Sequence, residues 1–260
     1  MELTPKWEEL SREEKDKWAL RMAVYAAMIY RMDKGIGKII EKLKETGQFE
    51  HTLIMFIADN GGCHEPIYVW DLIHDDSGEI GGPDSFDSYG YPWANVSNTP
   101  FRLFKHWTME GGISSPFIAH WPAKINKGKL DNENVGHIID IMATCIDISN
   151  SEYPEKYNKY EIQDMEGLSL AQLWEGKDFP ERTLFWEHMG NWAVRKGKWK
   201  LVNSYKKHGE VYDKMELYDL EKDRVESKDL ARKYPQKVKE LKKVYDSWAE
   251  RVGVYNFYRE

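Results

Sequence analysis

The feature that most constrains this chain is the uncharged run at residues 52–58, Thr-Leu-Ile-Met-Phe-Ile-Ala, which ends on Asp59-Asn60-Gly61-Gly62. Its β-branched and aromatic side chains, without charge or proline, predict a strand buried on both faces, as inside a parallel sheet. In open α/β sheets, ligands bind beyond the carboxyl ends of the strands. The Asp59 carboxylate and the Asn60 carboxamide therefore stand where a hard cation or an anionic substrate would bind. The competing reading is an Asx-turn in which both side chains merely satisfy local backbone. Two ligands also fall short of the roughly six to eight oxygens that Ca²⁺ takes.

Upstream, Trp18, Met22, Tyr25, Ile29, Met32, Ile36, Ile39 and Leu43 recur at helical spacing and predict an amphipathic helix over residues 11–46. Ser11 with Glu14 forms a capping-box start, and Gly47 marks the stop. Gly35 and Gly37 predict a bend or a close packing contact in its middle. Helix, short turn and buried strand make one step of a layered α/β sheet. Residues 61–98 then turn to Gly, Pro, Asp and Ser with scattered aromatics, including the segment from Asp75 to Pro83. A stretch that long without a period predicts an ordered loop packed over the site. Residues 116–122 predict a second buried strand, 135–148 a helix on that sheet, and 167–174 a short helix.

The last third reads differently. Short alternating runs at 184–187, 192–195, 199–202 and 216–219, with a hairpin turn at Lys196-Gly197-Lys198, predict an antiparallel sheet. A helix from Pro235 presents Val238, Leu241, Val244, Tyr245 and Trp248 on one face. The expected architecture is α/β over residues 1–178, followed by a small α+β subdomain over 179–260.

Composition excludes some partners. With 37 Lys and Arg against 44 Asp and Glu, the net charge of -7 lacks the basic footprint that nucleic acid requires. No apolar run reaches the roughly 18 residues of a membrane span, and the first twenty residues hold no apolar signal core, so no export address is read. Cys63 and Cys145 cannot make a disulfide framework, which leaves the compartment undecided. Eleven Trp and fifteen Tyr fit either a carbohydrate groove or a core of large residues.

A second polar cluster follows the long loop: Lys105 precedes Glu110-Gly111-Gly112 just before the second predicted strand. A lysine there can reach an anionic oxygen as a point charge, and paired glycines allow close backbone approach. The competing reading is a solvated lysine beside a glycine turn. His64, His106, His120 and His188 share no metal-ligand spacing, which favours packing or surface roles for each. No nucleophile elbow, P-loop or zinc motif occurs.

Several of these motifs stand in one order. They are Phe56-Ile-Ala-Asp-Asn-Gly61, Ser97-Asn-Thr-Pro-Phe-Arg-Leu-Phe-Lys105, Glu110-Gly-Gly-Ile-Ser-Ser-Pro-Phe-Ile-Ala-His-Trp-Pro122, Trp186-Glu-His-Met-Gly-Asn191, Trp199-Lys-Leu-Val202 and Glu216-Leu-Tyr-Asp-Leu220. In that order they resemble the C-terminal half of bacterial arylsulfatases, over most of the chain. The resemblance implies a partial alkaline-phosphatase-like α/β sheet with flanking helices, and a C-terminal antiparallel sheet carrying one helix. It implies hydrolysis of sulfate esters, such as a sulfated sugar or an aryl sulfate, by a formylglycine beside a bound Ca²⁺. By motif match, Asp59 and Asn60 are calcium ligands and Lys105 holds the sulfate oxygens. His188 and Asn191 are substrate contacts by position alone.

The departures matter as much. The family makes formylglycine from Cys or Ser in a Cys/Ser-x-Pro-x-Arg motif, yet Cys63 is followed by His-Glu-Pro and Cys145 by Ile-Asp-Ile. The nucleophile, the early Asp pair of the calcium shell and about half the sheet are expected to be missing. The chain then reads as a fragment, inactive alone, that needs a complementary N-terminal half or self-associates through an unpaired strand edge. Two alternatives stand beside it: a non-catalytic module binding sulfated carbohydrate, and a phosphodiesterase or phosphonate hydrolase of the same superfamily.

Overall fold

A computed structural model of the chain describes residues 6–65, 78–126, 128–204 and 214–254. Part of the expected aromatic loop, Asp75 included, lies outside the described residues, as does the extreme N-terminus.

Helix α1 runs without a break from Arg12 to Glu45. Its start is the expected capping box: the Glu14 amide donates to Ser11 Oγ at 3.2 Å, and the Ser11 amide donates to Glu14 Oε2 at 2.8 Å. Gly47 follows at φ 70, the left-handed conformation that a helix stop favours. The close packing contact expected at Gly35 and Gly37 is absent. A Cβ at either position would meet nothing within 4 Å, because this part of the helix faces solvent. The apolar stripe is unevenly covered: Met22 and Tyr25 pack on Tyr89, Ala94 and Phe104, Ile36 and Leu43 are half-buried, and Ile29, Met32 and Ile39 are exposed.

Strand β1, Ile54–Ile57, pairs antiparallel with β2, Phe117–His120, and the two form a sheet of their own. This corrects the expectation of a strand buried on both faces of a parallel sheet, since Phe56, Ile57, Phe117 and Ile118 are exposed. An apolar run states that both faces suit contact, but it carries no information on strand direction or on whether the covering layers are present. Among the described residues this two-stranded sheet leaves apolar side chains of both strands exposed.

Between these strands the aromatic loop contains a helix the sequence did not announce, α2, Gly90–Ser97, and the segment after Lys105 adds a single turn, α3, Glu110–Ile113. The predicted helix at 135–148 forms only from Asp140, as α4, Asp140–Ile148. Asp140 spends its carboxylate on the preceding turn, accepting from the His137 amide at 2.8 Å. A two-residue hairpin of β3, Lys156–Tyr157, and β4, Tyr160–Glu161, precedes the short α5, Ala171–Trp174.

The C-terminal part is an antiparallel meander of β5, Thr183–His188, β6, Asn191–Lys196, β7, Trp199–Asn203, and β8, Met215–Asp219. Helix α6, Pro235–Val252, starts on proline, where a missing N–H costs nothing, and is followed by Gly253 at φ 70. It covers one face of the sheet with Leu241, Tyr245 and Trp248. Tyr245 stacks on Trp192 with ring centroids 4.3 Å apart, and Trp248 on Phe185 at 4.8 Å. The opposite face carries Ala193, Val202 and Tyr218, which receive Met109 and Leu103 from the loop ahead of α3. The sheet is thus filled between α6 and the segment that bears Lys105. Among the described residues no helix is long and apolar enough to cross a membrane.

Candidate active site

The backbone that leaves β1 is stitched to the segment around Lys105. The Ala58 amide donates to Pro116 O at 3.3 Å, the Gly61 amide to Gly112 O at 2.9 Å, and the Lys105 amide to Gly62 O at 3.1 Å. Asn98 Oδ1 accepts from the Gly62 amide at 3.1 Å. These bonds leave no space between the two chains. A Cβ at Gly61 would lie 1.9 Å from Gly111 O, and one at Gly112 would lie 2.0 Å from Trp107 O. Glycine at 61 is therefore a requirement of the crossing, and glycines at 111 and 112 are required by the tight fold of the Lys105 segment on itself.

Four of the residues singled out in the sequence, Asp59, Asn60, Lys105 and His188, share one open cleft of about 1700 Å³ with His106, and Asn191 does not line it. Asp59 Oδ1 accepts from the Asn60 amide at 3.0 Å, and Asn60 Nδ2 donates to Gly61 O at 3.0 Å. The local-turn reading is thus realised, but it occupies one carboxylate oxygen and the amide nitrogen only. The second Asp59 oxygen and the Asn60 carboxamide oxygen remain as donors for a cation. The Lys105 ammonium lies 3.8 Å from Glu65 Oε2.

His188 is exposed on the cleft wall, edge-on to the His106 ring at 5.3 Å. Asn191 lies beneath that wall, fully buried. Its Nδ2 donates to His188 O at 3.2 Å and stands 3.3 Å from His106 Nε2. His106 itself sits at φ 93, a conformation no sequence rule assigns to histidine, and its place beside Lys105 was its only visible signal.

Behind the crossing lies a buried group of charges. Lys200 Nζ on β7 donates to Glu110 Oε1 at 2.8 Å and lies 2.8 Å from Glu226 Oε1. Glu226 Oε2 in turn accepts from the Glu110 amide at 2.8 Å. Arg224 approaches Glu110 Oε2 at 3.6 Å. Burial alone would raise the Glu110 carboxyl, but Lys200, with Arg195 and Arg224, holds it below the usual range. Burial pushes Glu226 upward, against the pull of Lys200. A lysine within the otherwise apolar run 199–202 was the sequence signal for this network.

A second buried pair closes the cleft floor. Arg182 grips both Asp140 oxygens, at 2.7 and 2.6 Å, and the Leu168 amide also donates to Asp140 at 2.9 Å. Beside it, burial pushes His137 below its ordinary value; Asp140 pulls it back, and Arg182 adds to the push.

For calcium, Asp59 and Asn60 are chemically suitable as hard oxygen donors at a strand end, and two donors are fewer than the ion takes. Among the described residues, no group of three or more His, Cys, Asp or Glu side chains gathers as a metal set.

Comparison with known proteins identifies the family. The Sulfatase family profile matches residues 3–151, and the profile described as N-sulphoglucosamine sulphohydrolase, C-terminal, matches residues 101–251. An uncharacterized sulfatase of Schizosaccharomyces pombe is 32% identical over 96% of this chain and 47% of its own length. An arylsulfatase of Klebsiella aerogenes is 33% identical over 66% of this chain and 39% of its own length. The chain thus spans less than half the length of these relatives. Among solved structures, one from a glycosaminoglycan-metabolism locus of Bacteroides thetaiotaomicron aligns with a TM-score of 0.59 at 25% identity, over 83% of this chain and 42% of that one. Ps i-CgsB in complex with k-i-k-neocarrahexaose shares the fold with a TM-score of 0.63 at 21% identity, over 96% of this chain and 47% of that one. The chain belongs to the sulfatase family.

Proposed function

We propose that this chain supplies one wall of a sulfate-ester hydrolase site, with Lys105 gripping the sulfate oxygens and Asp59 and Asn60 holding Ca²⁺. The observation that carries this reading is the hydrogen bond from the Lys105 amide to Gly62 O, which ties the ammonium-bearing residue to the turn that presents both oxygen donors. A bound divalent ion would supply positive charge to the sulfuryl oxygens. Lys105 adds a second positive charge as a preformed donor, most valuable where charge collects as the ester bond breaks. His188 faces the substrate's remaining parts, with Asn191 holding it from below. The substrate class is a sulfated sugar or aryl sulfate, in keeping with relatives named N-acetylgalactosamine-6-sulfatase in dog and mouse.

Neither cysteine fits the formylglycine motif. On this reading the nucleophile and the other calcium ligands come from further polypeptide seated on the bare faces of β1 and β2. The purified chain is therefore expected to bind inorganic sulfate in the presence of Ca²⁺ and to release no phenol from an aryl sulfate. Lys105→Ala should weaken sulfate binding about tenfold, the worth of one charged hydrogen bond. Isothermal titration and a chromogenic assay check both, and turnover by the chain alone would refute the missing nucleophile.

A further inference from the structure

We propose that Lys200 is a positioning residue for the anion site: its ammonium, clamped between Glu110 and Glu226, fixes the glycine crossing that sets Lys105 against Asp59 and Asn60. The proposal rests on the reading of that site as an oxyanion cradle, but its mechanical part stands on the network itself.

Lys200 is 0% exposed, Glu226 2% and Glu110 3%, so these charges have no water to soften them. Lys200 pairs across the sheet with Arg195 and Tyr218, which places it on the face that receives the Lys105 segment, not the face under α6. An apolar side chain would fill such a position at no electrostatic cost, and buried ion groups replaced by apolar residues often leave stability unchanged or improved. Cohesion therefore does not explain a lysine there. Direction does, because an ammonium between two carboxylates constrains where both of them sit, whereas an apolar contact permits sliding.

What is constrained can be followed atom by atom. Glu110 is held at its side chain by Lys200 and at its amide by Glu226, so the first residue of α3 is fixed at two points. Glu226 adopts φ 56 to reach both partners, a left-handed conformation that glutamate otherwise avoids. From Glu110 the chain passes directly into Gly111 and Gly112, whose carbonyl oxygens abut Gly61. Gly61 lies two residues beyond Asp59, and Gly62 O receives the Lys105 amide. A shift of Glu110 would thus move the two sides of the site relative to each other.

The test compares the unmutated full chain with Lys200→Arg and with Lys200→Met/Glu226→Gln, which leaves Glu110 its Arg224 neighbour and avoids two unpaired carboxylates. Amide hydrogen exchange is followed at Gly61, Lys105 and Gly111, with the amides of β6 and β7 as reference, and inorganic sulfate affinity is measured in parallel. In the double variant the site amides should exchange about tenfold faster, a local opening, while the sheet amides hold their protection. Sulfate affinity should fall in step, and Lys200→Arg should restore both. Unchanged site amides, or site and sheet amides loosening together, would overturn the positioning role. If the unmutated chain fails to bind sulfate, the anion reading falls, while the exchange comparison still decides what Lys200 does.

Discussion

His137 shows how one side chain sets a pH dependence. Its Nδ1 accepts from the Ile139 amide at 3.3 Å, which requires the unprotonated ring, and burial reinforces that preference. The unfolded chain protonates this histidine near the ordinary value of 6.5, whereas the folded chain takes the proton only at lower pH. Between those two values the unfolded state binds more protons, so folding stability falls as pH drops through the window and is fully present above it. Urea midpoints measured at about pH 7.5 and about pH 5.5 should differ in that sense, and His137→Phe should reduce the difference. Individual residues were unequally legible. Asp59, Asn60 and Lys105 could be singled out because their neighbours form ordered motifs, and all three line the cleft. The burial of Asn191 and the strained backbone of His106 and Glu226 arise from packing against distant segments, which no local pattern encodes.

Whole elements were easier to read where a period runs long enough to average out exceptions. Helix α1, the β5 to β8 meander and α6 all follow their patterns, with caps and turns at Ser11, Gly47, Gly197 and Gly253. The short α2 was hidden because eight residues containing Pro92 and Trp93 offer barely two turns of pattern. Gly35 and Gly37 were misread for an instructive reason. A glycine inside a helix signals either a close neighbour or simple tolerance, and only the fold tells which. Since a Cβ at Gly35 meets open space, Gly35→Ala should stabilise α1 by about 0.8–1 kcal/mol through reduced backbone freedom in the unfolded chain. A chemical denaturation curve with unchanged slope and a higher midpoint would show it.

At the scale of the whole molecule, apolar surface stays uncovered among the described residues: on β1 and β2, where Ile118 is 60% exposed beside Phe117, Phe56 and Ile57, and on α1 at Met28 and Ile39. Bare strand edges with apolar faces recruit other strands. Sedimentation velocity should therefore show concentration-dependent association, diminished by Ile118→Lys, because a lysine on a strand edge opposes pairing. A single concentration-independent monomer would contradict this.

The buried charges also decide how the cleft can be entered. Asp140 with Arg182 and Glu110 with Lys200 are buried pairs that span the boundary expected near residue 178. Swinging one part away from the other would part each carboxylate from its counter-ion, and breaking a buried pair is costly. Rotation about this seam is thus opposed, which favours entry of a ligand through the gap already left open.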